Sequence, residues 1–309
     1  MLAYFILAGG MTILQVAANP FVAVLGSEEG ASSRLNLSQA FNSLGTAIAP
    51  VVGALFILSD TIKSKEEISV LSTTAKETYL ASEASAVQMP FIGLALFIGV
   101  IAVIFLFSKL PKMISESSTG TYREAFRNKK LMQGVLGIFF YVGAEVAIGS
   151  YLINYFLDMN LVSVIKENGI MKSIAESMLN SGITENDDKA IVGIFVTFYW
   201  SGAMIGRFIG AYLTKVIKPG KVLGIFASVA ITLILISINT TGLISMWSIL
   251  AIGLFNSIMF PTIFTLAIDG IGQLKPKGSG LLCTAIVGGA VIPPAYGYLT
   301  DQIGFKNSL

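Results

Sequence analysis

Histidine is absent from this sequence, and cysteine occurs once, at Cys283. The first absence excludes a Ser-His-Asp or Cys-His catalytic arrangement and a zinc site built on imidazole. The second excludes a disulfide framework. Charge is scarce too: 12% of the residues are Asp, Glu, Lys or Arg, against about 25% in soluble domains. No Lys or Arg precedes Arg34, so the opening apolar run lacks the basic start of a secretory signal peptide. There is no P-loop, no Gly-x-Ser-x-Gly elbow and no His-Glu-x-x-His, which leaves no motif for ATP-driven work, hydrolysis or a bound metal, and no cofactor motif. A formal net charge of +2 makes no case for nucleic acid. The chain reads as a non-enzyme.

What is present is apolar. Hydrophobic residues make up 54% of the 309, and the mean hydropathy is +0.77. Glycine is frequent, at 31 residues, as in packed membrane helices. Cys283 lies in such an apolar run and reads as a small core residue. The composition defines an all-α, multi-pass membrane protein. A spanning helix needs about 20 mostly apolar residues. Eight stretches qualify: 1–26, 34–59, 89–108, 132–157, 190–214, 221–238, 242–268 and 279–300. Pro90 falls at the start of the third. Pro20, Pro50, Pro261 and the pair Pro293 and Pro294 fall inside spans, where another helix or water must satisfy the freed carbonyls.

Basic residues orient the array. Arg34 and the stretches 109–130, 207–221 and 275–277 hold thirteen of the 20 Lys and Arg, so their side is expected to be cytoplasmic. Both ends of the sequence then fall outside. Residues 60–88 and 158–189 form long outer loops read as surface caps, the second with amphipathic pieces over Leu161–Leu179. The stretch 109–131 is the longest inner connection and divides three spans from five.

Polar residues inside the spans mark the candidate site. On a helix at about 100° per residue, Thr12, Gln15 and Asn19 share a stripe about 60° wide. In the second span Asn36, Gln39, Asn42 and Ser43 share an arc of about 120°. Such amides are either interhelical glue or the lining of a wet cavity. Two adjacent stripes favour the cavity, since an amide offers donor and acceptor together and suits a neutral polyhydroxylated ligand. Glu145 is the one acid deep in a span. A buried carboxylate there is costly unless paired, protonated or wet, and is read as ligand contact or proton carrier. Tyr141 and Tyr155 lie on its side of the helix. Arg207 follows the Gly202, Gly206 and Gly210 packing face and reads as a gate or a cytoplasmic anchor that caps carbonyls. Asn256 and Pro261 mark a break in the seventh span.

Three stretches, QVAANPFVAVLG with RLNLSQAFNSLGTAIAP, then FFYVGAEVAIGSYLINYF, then YWSGAMIGRFIGAYL, resemble the major facilitator superfamily. Within it they are similar to the fucose permease-like sugar–proton symporters that include bacterial glucose/galactose transporters. The resemblance implies a twelve-helix, two-bundle fold with a central cavity, here incomplete, with about eight transmembrane helices corresponding to helices four to eleven. Residues 1–108 would complete the first bundle, 109–131 would be the central cytoplasmic loop, and 132–309 would be the second bundle without its last helix.

The resemblance also implies proton-coupled uptake of a monosaccharide, glucose or galactose, by a monomer in the bacterial inner membrane. Gln15, Asn19, Gln39 and Asn42 would contact sugar hydroxyls from one bundle, Glu145 and Asn256 from the other. Gln15 stands where fucose-type members have a carboxylate. The superfamily pattern Gly-x-x-x-Asp-Arg/Lys is represented by Gly210 to Lys215 with Thr214 in place of the acid, which argues against a charge-relay gate in this half. The alternatives are a symporter for fucose, another polyol or a nucleoside, and a truncated membrane protein that does not transport.

Overall fold

The computed structural model describes residues 2–56, 68, 70–109, 120–179, 182–183 and 187–308. Residues 57–59 of the second expected span, 110–119 of the expected inner connection and parts of both outer loops lie outside these, as does the side chain of Pro50.

Helices account for the described chain. In order they are α1 (Leu2–Val24), α2 (Ala31–Phe56), α3 (Thr73–Phe107), α4 (Tyr122–Arg127), α5 (Lys129–Asp158), α6 (Leu161–Glu167) and α7 (Gly169–Leu179). Then follow α8 (Asp188–Val216), α9 (Pro219–Asn239), α10 (Gly242–Asn256), α11 (Met259–Ile268), α12 (Lys275–Thr284), α13 (Gly288–Ile303) and α14 (Phe305–Ser308). Among the described residues seven helical segments are long and apolar enough to cross a membrane, and each coincides with an expected span. The remaining expected span, 34–59, falls on α2, a helix of 26 residues whose first half is rich in Ser, Asn and Gln.

Two boundaries differ from expectation. The helix containing Pro90 begins at Thr73, so Pro90 is interior rather than at the start. Ser72 caps that helix by accepting from the Ala75 N–H, and the four Ala among its polar first turns favour helix. Part of the presumed outer loop is therefore a helical extension. Likewise the end of the inner connection is ordered as α4, held by a reciprocal capping box between Thr121 and Glu124.

The chain divides into two compact units, one of residues 1–43 with 115–309 and one of 44–114. The smaller contains α3, whose apolar span Gln88–Phe107 has none of its side chains buried. The larger holds the core. Tyr155, Phe156, Phe195, Tyr199, Met246 and Ile249 are buried where α5, α8 and α10 meet, and α6 and α7 close this cluster with Leu161, Ile165 and Met171. A second cluster joins α5 and α11 to α12 through Ile138, Phe264, Ala267 and Leu282.

Glycine sets the closest helix approach. A Cβ on Gly253 of α10 would strike the Tyr199 carbonyl of α8, and one on Gly206 would strike the Leu254 carbonyl and Ser257. The backbones of α8 and α10 thus touch directly, which is the use of small residues in lipid, where no hydrophobic force drives helices together.

Gly253→Ala is expected to destabilise the protein by about 1–3 kcal/mol through overpacking against backbone. Gly224→Ala on α9, where an added Cβ meets nothing within 4 Å, should be neutral or slightly stabilising. Thermal unfolding in detergent separates the two, and equal melting temperatures would refute the close-approach argument.

Candidate functional site

The amides of α1 and α2 meet across the short turn that joins these helices. Gln39 donates through Nε2 to Asn19 Oδ1 at 3.4 Å. Asn19 is buried, and its Nδ2 has no hydrogen-bond partner. Gln15 lies one turn before Asn19 and is half-buried; Asn42 lies about one turn beyond Gln39 and is exposed. Asn36 behaves differently. It is fully buried, and its Nδ2 donates to the Ser32 carbonyl at 2.8 Å and to Thr262 Oγ1 on α11 at 3.1 Å. In its stripe, Asn36 is glue.

A second group forms on α5, α8 and α10. Glu145 is half-buried, with Oε1 enclosed and without a hydrogen-bond partner. Tyr141, one turn earlier, brings its buried hydroxyl toward Glu145 without closing a hydrogen bond of normal geometry. Arg207 acts on the Glu145 carboxyl through its charge. Tyr199 belongs to the same electrostatic cluster, and its hydroxyl accepts from Asn256 Nδ2 at 3.3 Å. Tyr155 does not join them. Its hydroxyl bonds to Ser237 Oγ at 3.1 Å and Ser245 Oγ at 3.0 Å, a buried serine cluster between α9 and α10.

The prolines explain the next feature. In a helix the carbonyl of residue i accepts from the N–H of residue i+4, and proline has none. Pro261 therefore leaves the Ser257 carbonyl open, just where α10 ends at Asn256 and α11 begins at Met259. Arg207 Nε fills the vacancy by donating to Ser257 O at 3.2 Å. Pro20 similarly frees the Val16 carbonyl of α1, and Ser279 Oγ of α12 donates to it at 3.3 Å. Both repairs come from other helices.

Arg207 also reaches α2. Its Nη1 donates to the Gln39 carbonyl at 3.4 Å and to Ser43 Oγ. It caps carbonyls as expected, but inside the bundle. Around it runs a seam between α1–α2 and the helices α8, α11 and α12. Ser33 donates to the Ala211 carbonyl at 2.6 Å, Ser32 pairs with Thr265 at 2.6 Å, and Lys275 pairs with Glu28 at 3.6 Å. Thr214 is buried and donates to Gly210 O of its own helix. Cys283 is buried on α12 beside Asn19 and Ser279.

The structure thus joins Gln39 to Asn19, and Asn256 through Tyr199 to the Glu145 cluster; Arg207 links the two groups. Tyr199, Thr262 and Ser279 carry contacts that the sequence did not single out. The prolines signalled which carbonyls lack a donor, but no sequence pattern names the donor.

Spans, polar stripes and cross-helix repairs define a multi-pass, all-helical integral membrane protein with a polar interior. The fold superposes with a TM-score of 0.84 on the crystal structure of the major facilitator superfamily transporter FucP in the outward conformation, at 30% identity over 98% of this chain and 70% of that one. A point variant of the Escherichia coli fucose:proton symporter FucP matches equally, over 71% of its chain. The chain belongs to the major facilitator superfamily. It is similar to the glucose/galactose transporter of Brucella abortus, 45% identical over 308 residues, and to the L-fucose-proton symporter of Escherichia coli, 33% identical over 309. It spans 65% of the length of each of these two relatives. No protein-family model matches the chain.

Ser279→Ala should cost about 1 kcal/mol by stranding the Val16 carbonyl. Adding Pro20→Ala restores an intrahelical N–H, so the double variant should recover much of the loss. A double-mutant cycle on thermal stability measures this coupling, and simple additivity would sink the repair argument.

Proposed function

We propose that the chain is the greater part of a secondary active transporter. It carries a monosaccharide, glucose or galactose, together with a proton across the bacterial inner membrane by alternating access. The carrying observation is the 45% identity over 308 residues to proteins named glucose/galactose transporter. The relatives bear transporter names, which agrees with a role that is not enzymatic. The working unit is a monomer in the lipid bilayer, without cofactor or nucleic acid.

In this reading residues 1–108 belong to the first bundle and 132–309 to the second, with 109–131 as the cytoplasmic loop between them. Gln15, Asn19, Gln39 and Asn42 hold sugar hydroxyls from one side, and Asn256 and Glu145 from the other. Paired amides suit such a ligand because each hydroxyl needs a donor and an acceptor. Glu145 is the proton-exchanging group: an ion with an enclosed, unpartnered oxygen is costly in a membrane interior and is relieved by protonation. The seam of serine, threonine and Arg207 contacts is the closed inner gate. Its likeness to a chain in the outward conformation supports that assignment.

The 33% identity to a fucose-proton symporter supports fucose as a second reading. The neutral Gln15, where fucose-type members resemble one another in carrying an acid, favours glucose or galactose.

Uptake of labelled glucose, galactose and fucose into cells lacking their own carriers tests this. Glucose or galactose should accumulate, and a proton uncoupler should abolish accumulation. Gln15→Ala and Asn42→Ala should raise the half-saturation for sugar about tenfold each, the loss of roughly one good hydrogen bond. Normal kinetics in both variants would remove these amides from the binding site.

A further inference from the structure

Arg207 occupies an unusual position. One guanidinium serves three neutral oxygens: Ser257 O at the α10–α11 break, and Gln39 O and Ser43 Oγ on α2. A fourth acceptor, Glu145 Oε1, lies within its electrostatic reach and has no hydrogen-bond partner. The neutral oxygens and the carboxylate therefore compete for one cation.

We propose that Arg207 is a latch operated by Glu145. With Glu145 protonated, the guanidinium stays on Ser257, Gln39 and Ser43 and holds α2 against α8. With Glu145 ionised, the carboxylate draws the guanidinium away, the α2 contacts are lost and the seam loosens.

The physical basis is the difference between the two kinds of acceptor. Attraction between opposite charges in a water-poor site exceeds a hydrogen bond from the same cation to a neutral oxygen. The proton on Glu145 decides which acceptor wins. No competing charge blurs the choice. Besides Arg207, the groups facing Glu145 are Tyr141 on its own helix and Tyr199 on α8. The other helices packed on α5 bring no charged group to it among the described residues. Arginine suits the task because its planar fork reaches several acceptors at once, which a lysine ammonium on a single stem does not.

The latch rests on the reading of Glu145 as a proton-exchanging carboxyl, and it makes Arg207 a positioning residue rather than a sugar ligand. The test uses the intact protein reconstituted in lipid vesicles, with spin labels at the exposed positions Leu37 on α2 and Tyr212 on α8 and Cys283 replaced by Ser. The distance distribution is measured by pulsed electron spin resonance from about pH 5 to about pH 9, spanning perturbed carboxyl titration. A short distance at low pH should give way to a longer component as pH rises. Glu145→Gln should keep the short distance throughout, since its neutral amide cannot draw the cation. Arg207→Lys should lose the pH dependence while remaining folded. Lengthening that is equal in parent and Glu145→Gln, or absent from the parent, overturns the latch, as does a parent-like pH course in Arg207→Lys. Uncoupler-sensitive sugar uptake measured on the same preparations tests the transport reading separately. Normal proton-driven uptake with a flat distance profile removes the latch alone, and an intact pH shift without uptake leaves the latch and removes the transport reading.

Discussion

The Ser257 carbonyl and the donor that reaches it set the terms for the rest of this fold. In lipid no water is available to an open backbone group, so each must find a partner inside the protein. Pro261 withholds the N–H that Ser257 O would ordinarily receive. The helix therefore cannot run on unaided, and α10 stops at Asn256. Arg207 supplies the missing donor from α8, which converts a local defect into a tertiary contact. Pro20 does the same to Val16, answered by Ser279 from α12. A helix breaker within a membrane segment is here a way of binding one helix to another. The Ser279 repair crosses the seam between α1–α2 and the helices that follow, and the Arg207 repair joins two helices on the far side of it.

The repairs require short distances, and glycine provides them. Arg207 can reach Ser257 only because α8 and α10 touch backbone to backbone at Gly206 and Gly253. Wider spacing would leave the guanidinium short of the break. The glycines on α8 and α10, the proline on α11 and the arginine on α8 thus form one device. Asn256 gains from it as well: it sits at the last turn before the break, where its amide meets the Tyr199 hydroxyl instead of packing along a continuous helix.

Much of this architecture was legible in the residues. Apolar length marked the spans, because lipid demands about 20 residues and tolerates little charge. The stripes on α1 and α2 followed from helical period alone, and one residue of each, Asn19 and Gln39, meets the other. The departures have physical causes. The polar turns of α3 extend a helix past the apolar run, since hydropathy sees lipid contact and not backbone state. Asn36 shares a stripe with Gln39 but meets Thr262, because a stripe fixes a face and not the helix opposite. Tyr155 lies on the same helix as Glu145 but ends in a serine pocket, since helices α9 and α10 differ in what they bring to each turn of α5. Donors such as Ser279 were invisible for the same reason: the sequence states the need at Val16, and only packing names the residue that meets it.

The placement of charge across the bundle follows from the same scarcity. A membrane interior disfavours both a lone carboxylate and a lone guanidinium, so the low-energy choice would be to pair Glu145 and Arg207 directly. The structure does not close that pair: Arg207 is held on neutral oxygens, while Oε1 of Glu145 stays unpartnered. In a closed bridge the carboxylate would hold the guanidinium away from the carbonyls it serves, until a proton on Glu145 released it. Keeping the cation on carbonyls and a hydroxyl leaves the carboxyl open to a proton or to a ligand hydroxyl. The neutral amides of α1 and α2 preserve that freedom. A carboxylate in place of Gln15 would add a second negative charge to the interior. With Gln15 neutral, Glu145 is the acid of the interior among the described residues, and Arg207, the cation acting on it, touches both sides of the seam.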